Sequence, residues 1–395
     1  MISPDLLDPT ALDRVLAPFG ESRMLPTAAY TSADVLDWER VNFFAGTWTC
    51  LGRRPVRGQQ AYAVGGSSVL VTVQERAVRA FANVCRHRGH ELLGVDERAD
   101  GRAIVCPYHG WGYGLDGSLR AAPQMGPDFD RSPWGLRELP IVDWHGWLFV
   151  NATGGAAPFE AFAGAVEAYL APYRPESLHV NARHRYEVAA NWKLIAENYH
   201  ECYHCPMIHP ELCQVTIPDS GDNGTGPGAW VGGTMDLMPH ARTMSYDGAP
   251  GPGAVPLEGV DPRIVTYLGI FPNLLVSAHP DYVLTHRFVP LAPDRTLVEC
   301  EWLFADPATD PAYAVDFWDT TNRQDWAAVA SVQRGLGSRY HHPGPLSPSE
   351  SAIYDWVTML ARGYRDLADI PRRTAGRLSV GPGPTPSAGT RSDPR

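Results

Sequence analysis

The stretch from residue 85 to residue 111 contains two short loops, CRHRGH (85–90) and CPYHGW (106–111), that share one arrangement. Each loop offers a cysteine followed closely by a histidine, with eighteen residues between the two pairs. The runs at 48–51, 61–64, 68–73 and 77–82 have a period of two and are separated by glycines, which is typical of antiparallel strands. The sequence therefore predicts a small β domain that presents two Cys-His pairs on its loops.

Two thiols and two imidazoles can hold two kinds of metal centre. A Rieske-type [2Fe–2S] cluster needs two thiolates on one iron and two imidazoles on the other, whereas a structural zinc site binds all four ligands to one ion. Zinc fingers usually pair cysteine with cysteine and histidine with histidine, which is not the pattern here. Gly89 and Gly110 allow tight turns that bring amide groups near the sulfurs. The residues expected to bind a [2Fe–2S] cluster are Cys85, His87, Cys106 and His109.

A second stretch, NWKLIAENYHECYHCPMIH (191–209), concentrates acids and histidines. Its first part contains no proline or glycine and predicts a helix that ends before Pro206. Residues 200–204 match the His-Glu-x-x-His pattern of zinc proteases, in which Glu201 would be the general base. Alternatively, His204 and His209 are two ligands of a 2-His-1-carboxylate iron site. These residues alone leave both alternatives open, together with a polar helix face whose histidines have only structural roles.

Composition limits the classes of protein to consider. The 395 residues suffice for two domains, and 38 glycines with 36 prolines favour a loop-rich, β-containing protein over a helical bundle. A net charge of −11 argues against a nucleic-acid-binding protein. The N-terminus shows no secretory signal, and no apolar run reaches the ~18 residues of a membrane span. Seven scattered cysteines do not form a disulfide framework, so we expect a cytoplasmic protein.

The two stretches together resemble the Rieske non-haem iron oxygenases, the large (alpha) subunits grouped as aromatic-ring-hydroxylating dioxygenases. The resemblance is carried by CRHRGH, by CPYHGWGYGLDGSL (106–119) and by residues 191–209, and it spans nearly the whole chain. It implies an α+β fold, with a small antiparallel β Rieske domain and a helix-grip catalytic domain in which an antiparallel sheet holds a long helix. The run 197–205 is most similar to the branch that oxidises quaternary ammonium compounds such as glycine betaine, carnitine and stachydrine.

The resemblance also implies the roles of individual residues. His204 and His209 would bind a mononuclear iron together with a distant aspartate. Glu201 would connect His204 to the Rieske histidine of a neighbouring subunit. Many family members carry aspartate in that role, four residues after the asparagine, whereas Glu201 lies three residues after Asn198. This interpretation replaces the zinc-protease alternative, makes His200 a bystander and leaves the Cys202/Cys205 pair without a role.

The missing carboxylate is expected on a long helix at about 311–338, where the candidates are Asp316, Asp319 and Asp325. Asp325 shares one helical face with three apolar residues, Val329, Val332 and Leu336. A carboxylate buried in such a face is costly unless it is paired or bound to a metal. The family pattern of an aspartate eight residues before a glutamine also points to Asp325, with Gln333. Asp325 is therefore the predicted third iron ligand.

The chain is expected to divide at four places. Residues 1–45 form an N-terminal segment packed on the catalytic domain, 46–153 the Rieske domain, 154–372 the catalytic domain and 373–395 a disordered tail. The irregular residues 217–260 are expected to cover the iron pocket. Five aromatic residues could face a cationic substrate, although each is also a plausible core residue: Tyr203, Trp230, Tyr267, Phe271 and Trp302.

The expected function is that of an oxygenase component that hydroxylates a small organic substrate, for example by oxidative N-demethylation of a quaternary ammonium compound. Its electrons would come from NAD(P)H through a separate flavin/iron–sulfur reductase or a ferredoxin, and the resemblance implies a homotrimer. Two alternatives remain. One is aromatic ring hydroxylation, and the other is a Rieske electron carrier that does not activate oxygen.

Overall fold

The structure, a computed structural model, describes residues 2–75, 77–218 and 220–371. The tail predicted at 373–395 lies outside the described residues. No helix within the described part of the chain is long and apolar enough to cross a membrane.

Short antiparallel strands make up the first part of the fold. They are β1 (Thr49–Arg53), β2 (Gly58–Val64), β3 (Ser67–Gln74), β4 (Ala77–Ala82), β5 (Arg98–Ala99), β6 (Ala103–Val105), β7 (Gly112–Gly114), β8 (Leu119–Ala121), β9 (Glu138–Leu139), β10 (Ile141–Trp144) and β11 (Trp147–Val150). They form a five-stranded sheet (β5-β2-β3-β4-β9) and two three-stranded sheets (β1-β11-β10 and β6-β7-β8). The loop 85–90 follows β4, and the loop 106–111 joins β6 to β7.

Strands β10 and β11 form a hairpin in which Ile141 pairs with Val150 and Trp144 with Trp147. His145 and Gly146 make its turn, and both have positive φ, as a two-residue hairpin turn requires. The His145 ring lies 2.8 Å from a carboxylate oxygen of Glu176 and 3.0 Å from one of Glu167. This histidine therefore has a structural role between two carboxylates.

A single large antiparallel sheet forms the second part. Its strands are β12 (His179–Val188), β13 (Thr216–Ile217), β14 (Trp230–Leu237), β15 (Ile264–Ile270), β16 (Leu274–Ala278), β17 (Tyr282–Ala292) and β18 (Arg295–Phe304), in the order β12-β18-β17-β16-β15-β14-β13. The predicted α+β class is confirmed.

The helices surround this sheet. They are α1 (Pro9–Val15), α2 (Ala28–Thr31), α3 (Ala33–Glu39), α4 (Phe159–Ala163), α5 (Glu167–Leu170), α6 (Trp192–Tyr199), α7 (Cys205–Ile208), α8 (Pro210–Val215), α9 (Ala312–Leu336) and α10 (Ser351–Arg365). A π-helical turn at Arg40–Ala45 continues α3. Helix α9 packs on the sheet through Trp318, whose indole N–H donates to the Tyr282 hydroxyl over 2.8 Å, and through Asn322, whose side chain contacts His286.

One expectation about the elements is wrong. Residues 217–260 are not irregular throughout, because β14 lies inside them as a largely buried strand of the main sheet. A further helix, α10, follows α9 and buries Trp356, Val357, Leu360 and Tyr364.

The N-terminal segment is tied to helix α6 by a buried polar cluster. Lys193, the only lysine of the chain, lies 2.6 Å from Glu39, and both side chains are fully buried. The Trp192 indole N–H donates to the same carboxylate over 2.8 Å. The Tyr30 hydroxyl donates to Glu197 over 2.8 Å. A buried charge is tolerated only when it is paired, so Lys193 and Glu39 must stay together. Their contact holds the start of α6, the helix that leads into the candidate site, against the N-terminal segment.

Candidate metal centres

The two Cys-His loops have the same backbone hydrogen bonds. Cys85 N–H donates to His90 C=O and Cys106 N–H to Trp111 C=O, both over 2.8 Å, and each loop's glycine N–H donates back to its cysteine C=O over 3.0 Å. Gly89 and Gly110 have φ of +75° and +71°. A side chain at either position would be strained, because L residues rarely adopt this region. Because these hydrogen bonds and glycine conformations are the same in both loops, the two loops have the same backbone shape.

The four predicted cluster residues are brought together. Cys85 and Cys106 are buried, and burial, together with the neighbouring Cys85 thiol, raises the pKa of the Cys106 thiol. The rings of His87 and His109 lie 4.7 Å apart, with His109 exposed. Thiols inside and imidazoles outside match the ligand set of a cluster with two thiolates on its inner iron and two imidazoles on its outer iron. The donor set therefore fits a Rieske cluster.

Contacts around the loops hold these side chains in place. The Tyr113 hydroxyl lies 3.3 Å from the Cys85 sulfur and accepts a bond from Arg86 N–H over 3.0 Å. Trp111 stacks on His87 with ring centroids 4.8 Å apart and 7° between the planes. Hydrogen bonds to sulfur are among the contacts that tune such a cluster.

The second centre combines His204, His209 and Asp325, whose possible ligand atoms all lie within 4.8 Å of one another. The Nε2 atoms of the two histidines are 3.2 Å apart. Asp325 Oδ1 lies 2.9 Å from Nε2 of His209 and 3.4 Å from Nε2 of His204. Neighbouring ligands around one ion at about 2.1 Å have separations of this size. Two imidazoles and one carboxylate on one side of an open cavity are the donor set of a non-haem iron.

The other ring nitrogen of each histidine is held by a side chain. Nδ1 of His204 is bonded to Glu201, which also accepts the N–H groups of Tyr203 and His204. Nδ1 of His209 lies 2.7 Å from the side-chain oxygen of Gln324. Such contacts fix the tautomer and leave Nε2 of each ring free to hold an ion that would bind between them. The Gln324 contact is not predictable from the sequence, because a glutamine on a helix adjacent to a candidate ligand carries no distinctive pattern.

The protonation of this centre follows from its contacts. Burial lowers the pKa of His204, but hydrogen bonds to Asp325 and Glu201 outweigh this effect and raise the pKa to about 9. Burial raises the pKa of the Asp325 carboxyl, but hydrogen bonds from His204 and His209 leave the pKa below its usual value. Because iron binds the neutral imidazole, a bound metal must displace these protons.

The other residues considered from the sequence are not part of the group formed by His204, His209 and Asp325. Asp319 accepts from Tyr186 over 2.6 Å and pairs with Arg323, whereas Asp316 is exposed. Gln333 accepts the N–H of Asn191 over 2.9 Å and does not reach the centre through its described contacts. Cys202 and Cys205 form a disulfide with their Cα atoms 4.9 Å apart, closing the turn that carries His204.

His200 is not part of the cluster of possible ligands. Its ring packs against Trp356 with centroids 5.1 Å apart. Burial lowers its pKa to about 3, so the ring is neutral.

A cavity of about 550 Å³ opens onto the second centre. Residues 218, 220–223 and 232–235 form one wall, so part of the 217–260 segment does border the pocket. Of the five aromatic candidates, Tyr203 and Tyr267 line the cavity. Trp230, Phe271 and Trp302 are buried and are not among its lining residues.

Comparisons with known proteins agree with this architecture. Residues 175–365 match the family "Ring hydroxylating alpha subunit (catalytic domain)", and residues 52–140 match the "Rieske [2Fe-2S] domain". The chain is 31% identical to the glycine betaine monooxygenase oxygenase subunit of Chromohalobacter salexigens, over 91% of this chain and 93% of that protein. It is 28% identical to the carnitine monooxygenase oxygenase subunit of Escherichia coli, over 92% and 99%.

A solved quaternary ammonium Rieske monooxygenase, described for carnitine oxidation and inter-subunit electron transfer, superposes with a TM-score of 0.75. It shares 25% identity and covers 89% of this chain and 98% of its own. The matched catalytic domain argues against the alternative of an electron carrier that does not activate oxygen.

Proposed function

The chain belongs to the Rieske non-haem iron oxygenases as an oxygenase (alpha) subunit, and from this premise we propose that it hydroxylates an N-methyl group of a small quaternary ammonium compound. Members of this family hold a Rieske cluster and a mononuclear iron and receive electrons from a reductase. The observation that carries the proposal is the cavity at the second centre, whose described lining residues include carboxylates but no arginine or lysine. Such a cavity favours a cation.

The proposed residue roles follow from the donor sets. Cys85, His87, Cys106 and His109 would hold the [2Fe–2S] cluster, and His204, His209 and Asp325 the mononuclear iron. The iron, when bound, supplies the oxygen-activating chemistry. The protein orients the rings through Glu201 and Gln324, and the cavity holds the substrate beside them. The Glu201 carboxylate, bonded to Nδ1 of His204, is suited to connect this histidine with a second imidazole.

We propose a homotrimer in which the Cys-His loops (85–90 and 106–111) of one chain lie beside Glu201 of the next, because a solved relative is described for inter-subunit electron transfer. An apolar pocket of about 330 Å³ lies there, lined by residues such as Met24, Ile208, Val332, Glu201 and His204. Its rim includes Val332 at 50% exposure.

The two Cys-His loops carry exposed apolar side chains. Val84 and Val105 precede the two cysteines, Tyr108 lies in the second loop, and the partly exposed Trp134 packs against Trp111. Exposed apolar groups beside both metal centres match the need for a chain-to-chain contact. We propose a flavin/iron–sulfur reductase or a ferredoxin as the electron donor.

The proposed domain division keeps the predicted boundaries: 1–45, 46–153, 154–372 and 373–395. Its first boundary is supported by the buried contacts of Tyr30 and Glu39 with helix α6, which attach the N-terminal segment to the catalytic part.

Formaldehyde release tests the proposed reaction. Hydroxylation consumes one dioxygen, two electrons and two protons, inserts one oxygen into an N-methyl C–H bond and releases water. The C–N bond of the resulting N-hydroxymethyl group then breaks, its electron pair stays on nitrogen, and formaldehyde, a proton and the demethylated tertiary amine are released. With an added reductase, we expect formaldehyde from methylated ammonium compounds in proportion to the oxygen consumed. Turnover of neutral aromatic compounds, without turnover of any quaternary ammonium compound, would instead support ring hydroxylation.

A further inference from the structure

Two cysteines enclose one of the candidate iron ligands. Cys202 and Cys205 are joined by a disulfide, with their Cα atoms 4.9 Å apart, and His204 lies between them in the chain. The bond closes a ring of four residues, and such a crosslink limits the conformations that the enclosed backbone can adopt. The chemical state of this pair therefore bears on the position of His204.

Cys205 also connects this turn to the second histidine. Its N–H donates to the Cys202 carbonyl over 3.2 Å, and its own carbonyl accepts the N–H of His209 over 2.8 Å. The Nε2 atoms of His204 and His209 are 3.2 Å apart. A movement of Cys205 would consequently be passed on to both histidines of the second centre.

Other contacts preserve the turn when the disulfide is absent. The Glu201 carboxylate accepts the N–H groups of Tyr203 and His204 and contacts Nδ1 of the His204 ring. Because these hydrogen bonds do not involve the sulfur atoms, they remain after reduction. We therefore expect reduction to loosen the ligand rather than to unfold the turn.

The pair is accessible to small reagents, unlike most cysteines of the chain. Cys202 and Cys205 both line the cavity of about 550 Å³, and Cys202 is partly exposed. Cys50, Cys213 and Cys300 are free thiols, and burial raises the pKa of each. A thiol with a raised pKa forms little of the reactive thiolate, so exchange chemistry is favoured at the Cys202–Cys205 pair.

We propose that Cys202 and Cys205 form a reversible thiol–disulfide switch: the disulfide holds the two histidine ligands in position for iron, and its reduction lets the iron leave more readily. This inference rests on the proposed function, since it concerns the same iron site, and it adds control of that site by redox state. A local change in one covalent bond would thereby set how well the second centre retains its metal.

The reductant would be a dithiol. Its thiolate attacks the sulfur of Cys202, the less buried of the two, and the Cys205 sulfur leaves with the bonding electron pair and takes up a proton. The second thiol of the reductant then displaces the Cys202 sulfur, which is also protonated. Two electrons and two protons thus pass to the pair, and the reductant becomes a cyclic disulfide. The reverse exchange restores the bond.

Iron release from the full-length holoenzyme without dioxygen tests the inference. Two buffers contain the same total concentration of dithiothreitol, either reduced or oxidised, and a ferrous chelator competes for the mononuclear iron. Alkylation followed by peptide mass measurement reports the thiol state of Cys202 and Cys205. We expect the reduced pair to release mononuclear iron roughly tenfold faster than the disulfide, because a four-residue ring no longer constrains the turn. The visible spectrum of the cluster should persist in both buffers.

Two variants separate the switch from direct effects of the reagent. Cys202→Ser cannot form the disulfide and should release mononuclear iron at the faster rate in both buffers. Cys213→Ser is the matched control, because Cys213 is a free cysteine that is not fully buried and does not line the cavity. This control should respond to the two buffers as the wild type does.

Three results would overturn the inference while leaving the proposed function intact. They are equal alkylation of both cysteines in the two buffers, a disulfide that forms and breaks without changing the rate of iron release, and faster release in reduced dithiothreitol from Cys202→Ser as well. A wild-type protein that binds no mononuclear iron in either buffer would contradict the proposed function, and the inference with it.

Discussion

At the scale of single residues, the two histidines of the second centre differ in the side chain that holds each ring. His204 is bonded to Glu201, a near neighbour on its own turn, whereas His209 is bonded to Gln324 on helix α9. Asp325 follows Gln324 directly and reaches both rings. The long helix thus supplies both a candidate ligand and a ring-orienting contact.

The sequence predicts the candidate ligands better than it predicts the groups around them. Asp325 could be chosen over Asp316 and Asp319 because it lies on an apolar helical face. Gln324 could not be identified, because its role depends on a contact between helix α9 and His209 that no local pattern encodes.

Replacement of Asp325 tests the assigned third ligand. Asp325→Ala should lower the iron content from about three to about two per chain, because only the mononuclear ion is lost. The visible spectrum of the cluster should persist, and turnover should fall by more than roughly a hundredfold. Asp316→Ala, at an exposed position of the same helix, is the control and should keep all of its iron. Iron loss in the control but not in Asp325→Ala would refute the assignment.

Glu201→Gln separates electron transfer from iron binding. The amide keeps a hydrogen bond to His204 but loses the charge, so both metals should remain in place. In single turnover with the cluster reduced beforehand, we expect cluster reoxidation to slow by roughly tenfold or more. Reoxidation and product formation at the wild-type rate would show that Glu201 is not the connection.

At the scale of elements, strand β14 shows where sequence patterns fail. Its sequence WVGGTMDL contains two adjacent glycines, which locally indicate a loop. In the fold they allow close backbone approach: a Cβ on Gly232 would lie 2.0 Å from the Tyr267 carbonyl oxygen, and one on Gly233 2.2 Å from that of Asp222. The glycines thus let residues 221–223 lie across the sheet and form the cavity wall.

Helix α10 carries a signal that could have been recognised. Ser347 and Glu350 form a capping box just before it, and its apolar residues recur at helical spacing.

In strand β14, replacing Gly232 by alanine should destabilise the protein. The new Cβ would clash with backbone, and φ is +149° there, so we expect a loss of about 2–4 kcal/mol. Gly335→Ala in helix α9 is the control, since its Cβ meets nothing within 4 Å, and it should be neutral or stabilising by up to about 1 kcal/mol. Thermal unfolding measures both variants, and an unchanged midpoint for Gly232→Ala would contradict the close approach.

The buried contacts between the N-terminal segment and helix α6 predict a pH dependence of stability. Burial raises the pKa of Glu197 to about 8. The unfolded carboxyl has a pKa of about 4.3. Between these values the folded state keeps a proton that the unfolded state has lost, so this group's contribution to stability falls as the pH rises. Glu197→Gln should therefore gain stability relative to wild type between pH 5 and pH 8, measured as the difference in unfolding midpoint. A difference that is constant with pH would contradict a protonated Glu197.

At the scale of the whole molecule, two motif-bearing parts of the chain each supply one candidate metal centre. The resemblance carried by the Rieske loops and the 191–209 segment implied the α+β fold class that the structure confirms. The arrangement of chains in the oligomer was expected only through the family resemblance, because surface contacts between copies leave little trace in one sequence. We propose that the cluster of one chain serves the iron of a neighbouring chain.

Complementation between two inactive variants tests directly whether electrons pass from the cluster of one chain to the iron of another. Cys85→Ser should lack the cluster and Asp325→Ala the mononuclear iron, so each chain alone is inactive. Co-expressed in equal amounts, they should form mixed rings with roughly a quarter of wild-type turnover, because one in four head-to-tail contacts pairs an intact cluster with an intact iron site. Turnover in the mixed oligomers no higher than in either variant alone, with both chains present in one particle, would contradict transfer between subunits.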